Sequence, residues 1–94
     1  MTHRFQAVFL AIFLFSGTAV AAEGPDGQSL FKSNCVMCHD VVKKKLGPPV
    51  KEMKRDGGML RATITNGRNA MPAYQDKLSA AEIDALVEFL LANQ

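Results

Sequence analysis

The chain has 94 residues, with 11 Lys and Arg against 9 Asp and Glu, and 48% of it is hydrophobic. So even a charge balance, with no interleaving of basic and aromatic side chains, argues against a nucleic-acid-binding function. The length allows one small domain, and a core of that size usually needs a staple: a disulfide, a metal or a bound cofactor.

The opening "MTHRFQAVFLAIFLFSGTAVAAEG" has the layout of a secretory signal peptide. Arg4 gives a positive start, residues 7–15 are an apolar run, and Ser16, Gly17 and small residues lead to "AVAA". Cleavage is expected after Ala21 or Ala22, which leaves residues 23–94 as the folded domain and removes His3. A retained membrane anchor is the competing reading, but it needs about 20 predominantly apolar residues. The Ser16-Gly17-Thr18 break interrupts such a run.

"DGQSLFKSNCVMCH" predicts a helix with Leu30, Phe31 and Cys35 near one face. At its end stands "CVMCH", residues 35–39, two thiols and an imidazole that could hold zinc, form a redox disulfide or fasten a haem. Structural zinc needs four ligands, usually from two pairs, and with His3 gone this chain supplies one cysteine pair and His39. A C-x-x-C redox motif belongs in a βαβ frame, for which no strand pattern exists here. A plain disulfide between Cys35 and Cys38 would leave the histidine unexplained. Haem attachment uses every residue. Side chains three and four apart share a face of a helical turn, so Cys35 and Cys38 can add to the two vinyl groups while His39 binds iron.

After this motif comes a lysine run, Lys43, Lys44 and Lys45, followed by Lys51, Lys54 and Arg55. It reads either as a solvated face or as a steering patch for an acidic redox partner. "LGPPV" interrupts any helix. "GGMLRATITNG" predicts a second helix with Leu60 and Ile64 on its apolar stripe and Gly67 as its stop. In "NGRNAMPAY" the methionine precedes a proline and lies in a stiff extended loop. The last segment, "LSAAEIDALVEFLLANQ", opens on a capping box, Ser79 with Glu82, and carries Ile83, Leu86, Val87 and Leu90 at helical spacing. The fold class is all-α with ordered loops.

A haem closed on both faces needs a sixth iron ligand, and with no second histidine in residues 23–94 methionine is the alternative. Met37 lies inside the attachment loop. Met53 and Met59 fall on helical or helix-start positions, where methionine more often fills a core. Met71, in its proline-stiffened loop, is the expected distal ligand.

The combination of Cys35-Val36-Met37-Cys38-His39, then Leu46-Gly47-Pro48-Pro49, then Asn66-Gly67-Arg68-Asn69-Ala70-Met71-Pro72-Ala73-Tyr74 and a C-terminal helix resembles the monohaem class I c-type cytochromes. The resemblance implies the class I cytochrome c fold, with three to five helices wrapped around one covalent haem c. It implies thioethers at Cys35 and Cys38, with His39 as proximal and Met71 as distal iron ligand. Pro48 matches the proline whose carbonyl accepts a hydrogen bond from the axial histidine. Gly27 and Phe31 match positions where the first helix crosses the last near Leu86 and Phe89. Arg68, Asn69 and Tyr74 stay open between contacts to the haem propionates or the distal loop and solvent-facing roles. The chain has no tryptophan and a short loop at residues 40–46, as in compact bacterial forms.

The expected function is a periplasmic one-electron carrier, not an enzyme, because His/Met ligation leaves no open iron position for substrate. A haem-based redox or gas sensor with a displaceable Met71 is the alternative. Partners are expected to be redox proteins, periplasmic or membrane-bound, met by a monomer, with no small-molecule substrate.

Overall fold

The computed structural model describes residues 11–12 and 24–94. The signal-peptide expectation for residues 1–22, with its cleavage point and His3, falls almost wholly outside them.

Three α-helices occur among the described residues: α1 (Gly27–Asn34), α2 (Gly57–Asn66) and α3 (Ala80–Ala92). A single 3-10 turn, Val50–Glu52, interrupts the loop between α1 and α2. The only β pairing among these residues is an isolated bridge between Arg68 and Met71. The all-α expectation holds.

Each helix begins where its sequence supplies an acceptor for backbone N–H groups that have no partner within the helix. Asp26 caps α1 by accepting from the Gln28 N–H at 3.1 Å, and its other oxygen takes the Ser29 hydroxyl at 2.6 Å. Asp56 caps α2 through the Met59 N–H at 3.1 Å. Ser79 and Glu82 form the full capping box of α3: the Ser79 hydroxyl accepts from the Glu82 N–H, and the Glu82 carboxylate from the Ser79 N–H. At the other end of α2, Gly67 stops the helix with φ 75°, a conformation that favours glycine.

Helix α3 is the central element, packed against both α1 and α2. It buries Ile83, Leu86, Val87 and Leu90. These meet Phe31 of α1, Leu60 and Ile64 of α2 and Val50 of the 3-10 turn. The crossing with α1 is close because Gly27 has no side chain. A Cβ there would lie 2.2 Å from the Ala85 carbonyl oxygen and 2.9 Å from the Phe89 Cβ. Next to that contact the Phe31 and Phe89 rings stack tilted, with centroids 5.0 Å apart. Such a pair contributes roughly 0.5–1.5 kcal/mol beyond its buried area. Gly27, Phe31 and Phe89 thus meet where the family resemblance puts the helix crossing.

Candidate functional site

Helix α1 ends one residue before the attachment motif. Cys35 is its C-cap, with its N–H bonded to the Phe31 carbonyl at 2.8 Å. The chain then makes one further turn: the Cys35 carbonyl accepts from both the Cys38 N–H at 3.1 Å and the His39 N–H at 2.8 Å. This extra turn keeps residues 35, 38 and 39 on a common side, and all three line one cavity. Met37, inside the same turn, is 91% exposed and points away from it.

The loop from Asp40 to Pro49 folds back onto this turn and fixes its shape. The Asp40 carboxylate accepts from the Val42 and Lys43 N–H groups at 2.9 and 2.8 Å. Those bonds hold the carboxyl below its ordinary value, Lys43 first and Val42 next. The Cys38 carbonyl accepts from the Gly47 N–H at 2.7 Å, and the Val36 carbonyl from the Lys45 ammonium at 2.7 Å. The Pro48 carbonyl stands 2.8 Å from the His39 Nδ1. A carbonyl can only accept, so Nδ1 carries a proton, and in the neutral ring Nε2 keeps its lone pair for a metal.

Gly47 makes that arrangement possible. A Cβ at this position would fall 2.2 Å from His39 Cε1 and 2.6 Å from Nδ1. The backbone therefore passes so close to the imidazole that only glycine fits. The sequence offered "LGPP" as part of a family pattern, but nothing in it said which side chain the glycine had to clear.

The cavity measures about 570 Å³. Protein interiors leave few voids larger than a water molecule, whereas ligand sites run to about 300–1,000 Å³. Its apolar walls include Phe31, Leu60, Ile64, Leu86 and Leu90, the same side chains that make up most of the core. One side of the core thus doubles as the wall of this space. The donors on that wall are two thiols, an imidazole nitrogen and thioether sulfur. That set, in an apolar slot, fits a covalently held haem.

Met71 lines the cavity from the loop between α2 and α3. Its backbone is tied by a reciprocal pair with Arg68, at 3.0 and 2.9 Å, around a turn in which Asn69 has φ 51°. Gly67 permits the return of the chain, since a Cβ there would meet the Met71 carbonyl at 2.6 Å. Met53 and Met59 also reach the cavity. The core-filling expectation fails for Met59 and holds in part for Met53. Met59 is 41% exposed, because on α2 it sits one residue, about a quarter turn, off the buried Leu60–Ile64 stripe. Met53 follows the 3-10 turn instead of entering a helix and packs half-buried against the core.

Arg68, Asn69 and Tyr74 all line the cavity. The Tyr74 hydroxyl, however, is committed to the Asn34 carbonyl at 2.9 Å. Burial first, then Cys35 and Cys38, raise its pKa, so it stays a neutral donor. Burial, with a smaller push from Cys38, drives the free Cys35 thiol up to about 11.

Residues 22–90 match the family described as "Cytochrome C oxidase, cbb3-type, subunit III". The chain is similar to cytochrome c6 of Nostoc sp., 34% identical over 99% of this chain and 95% of the relative. It is similar to chloroplastic cytochrome c6 of Chlamydomonas reinhardtii, 35% identical over 89% of this chain and 65% of that protein. With cytochrome c6 of Porphyra purpurea it shares 30% identity over 95% of this chain and 88% of the relative.

Proposed function

Given that this chain belongs to the monohaem class I c-type cytochromes, electron carriers with one covalent haem c, we propose that Cys35 and Cys38 form the thioethers and that His39 and Met71 hold the iron from its two sides. When bound, the haem iron supplies a one-electron couple. The chain's own residues do the rest. The Pro48 carbonyl fixes the His39 tautomer and raises its basicity. The apolar wall of Phe31, Leu60, Ile64, Leu86 and Leu90 keeps water from the centre. A filled sixth position leaves no place for a substrate, so the reading is a shuttle and not an enzyme.

The observation that carries this assignment is the convergence of Cys35, Cys38, His39 and Met71 on one apolar cavity, with Pro48 bonded behind the imidazole. Its further parts are a signal peptide at residues 1–22, a periplasmic location and monomeric encounters with acidic redox proteins. Among the described residues no helix is long and apolar enough to cross a membrane.

Replacing each cavity methionine in turn tests the ligand set. In the oxidised protein we expect a sulfur-to-iron charge-transfer band. Met71→Ala should abolish it, lower the reduction potential and open the iron to added ligands, with haem still covalently attached. Met53→Ala and Met59→Ala should keep the band. If instead Met53→Ala or Met59→Ala loses it and Met71→Ala does not, the distal ligand is misassigned. Ready binding of carbon monoxide by the reduced wild type would favour the sensor over the shuttle.

A further inference from the structure

The loop from Gly67 to Leu78 carries Met71, and nearly all its hydrogen bonds run back to α2 or within itself. The Gly67 N–H goes to the Thr63 carbonyl, the Tyr74 N–H to Ile64 at 3.0 Å and the Gln75 N–H to Thr65 at 3.3 Å. Arg68 and Met71 pair with each other, and the N–H groups of Lys77 and Leu78 both return to the Tyr74 carbonyl. Apart from the packing of Met71, Tyr74 and Leu78 against the core, the loop is held by α2 and by itself. Among the described residues a single hydrogen bond ties it to another element: the Tyr74 hydroxyl donates to the Asn34 carbonyl at 2.9 Å, across 40 residues of sequence.

The acceptor's position gives that bond its meaning. Asn34 is the last residue of α1 and directly precedes Cys35. The last carbonyls of a helix lack intrahelical partners, and some of those at the end of α1 are met from outside the helix ladder. The Leu30 carbonyl takes the Asn34 side-chain amide at 2.9 Å, and the Phe31 carbonyl takes the Cys35 N–H. The Tyr74 hydroxyl fills the Asn34 carbonyl in the same way. One bond therefore satisfies the helix carbonyl that directly precedes the attachment turn and pins the methionine loop to it.

We propose that Tyr74 is a positioning residue that holds the Met71 loop against the end of α1 and so sets how firmly the sixth iron position stays closed. This rests on Met71 being the distal ligand. Tyr74→Phe keeps the ring, which packs against the core and beneath the Lys77 ammonium. It removes only the hydroxyl and leaves the part-buried Asn34 carbonyl without its partner.

The test uses the oxidised holoprotein as wild type, Tyr74→Phe and a control, Arg61→Ala. The control breaks the ion pair to Asp84, whose two partners lie on α2 and α3 and make no hydrogen bond to the loop. Each protein is titrated with imidazole while the charge-transfer band is followed, and each is melted with the band and the helical circular dichroism recorded together. Losing one neutral hydrogen bond should make imidazole displacement about two- to tenfold easier in Tyr74→Phe. The band should also vanish at a lower temperature, ahead of the helices. Arg61→Ala should leave imidazole affinity at the wild-type value. If the wild type shows the band and Tyr74→Phe matches it in imidazole affinity, or loses band and helices together, Tyr74 is structural only and the inference falls. A wild type with no band removes the Met71 assignment and this inference with it.

Discussion

Gly47 sits so close to His39 that its missing side chain is a requirement of the site. Any Cβ would have to push the imidazole aside, since the nearest ring atom is 2.2 Å away and contacts below 3.0 Å force a shift. The ring cannot yield freely, because its Nδ1 is bonded to the Pro48 carbonyl from the next residue. Gly47→Ala should therefore break that bond or displace the loop. We expect a destabilisation of about 1–3 kcal/mol, the usual range for overpacking, measured by denaturation of the holoprotein, together with a changed haem spectrum. Unaltered stability and spectrum would mean that the loop gives way without involving His39. Lys45 is a second residue whose task is visible only in three dimensions. Its ammonium reaches the Val36 carbonyl, between the two cysteines, so it braces the attachment turn while Lys43 and Lys44 remain solvated. The lysine run that looks uniform in sequence is thus divided in function.

At the scale of elements, the helices follow from signals within a few residues of each other. The capping box of α3, the glycine stop of α2 and the stripe Ile83, Leu86, Val87 and Leu90 were all legible, because each depends on local hydrogen bonds or helical periodicity. The elements meet through contacts that periodicity does not encode. Phe31 and Phe89 lie 58 positions apart in the numbering and stack only because Gly27 lets the helices close. Gly27→Ala sets two effects against each other. Alanine gains at most about 1 kcal/mol in helix propensity, and less in a first turn. Its Cβ would press on the Ala85 backbone carbonyl, which cannot rotate away as a side-chain tip could. Separating α1 from α3 should cost more, roughly 1–3 kcal/mol, so the net outcome is destabilising. For a domain of this size each kcal/mol lowers the melting temperature by about 4–8 °C. A melting temperature equal to or above wild type would show that the crossing is looser than its geometry implies. The same distinction explains what was missed in the site. The family pattern brought His39, Pro48 and Met71 into view, whereas the tasks of Gly47, Lys45 and Tyr74 depend on neighbours 8, 9 and 40 residues away. Met59 was misread for a related reason: helix membership was evident, but which part of α2 faces the cavity mouth depends on how α2 lies against α3.

For the whole molecule, charge is sorted along the chain, and this bears on its partners. Every lysine but Lys77 falls between Lys32 and Lys54, in the part that carries the attachment turn and its bracing loop. The carboxylates Glu82, Asp84 and Glu88 ride on α3. The positive part also exposes apolar side chains, Met37, Val42 and Leu46. Exposed apolar residues in the same stretch of chain as these cations suit a contact that charge steers and apolar burial completes, with an acidic protein as partner. Steering between exposed charges is screened beyond about 8 Å at physiological salt, so electron exchange with an acidic partner should slow as ionic strength rises. The division within the lysine run makes this prediction specific. Lys43→Gln with Lys44→Gln should flatten the salt dependence and leave the reduction potential near the wild-type value, because neither ammonium touches the attachment turn. Lys45→Gln should do more. A hydrogen bond to a neutral carbonyl leaves its charge in place, so the salt dependence should flatten here too, while loss of the brace, with its cation beside the turn, also lowers stability and potential. Stopped-flow exchange across a salt series, paired with potentiometry on the same variants, separates the two. If all three lysines shift the salt slope alike and none shifts the potential, the run is a plain docking patch and the brace has no part in holding the haem.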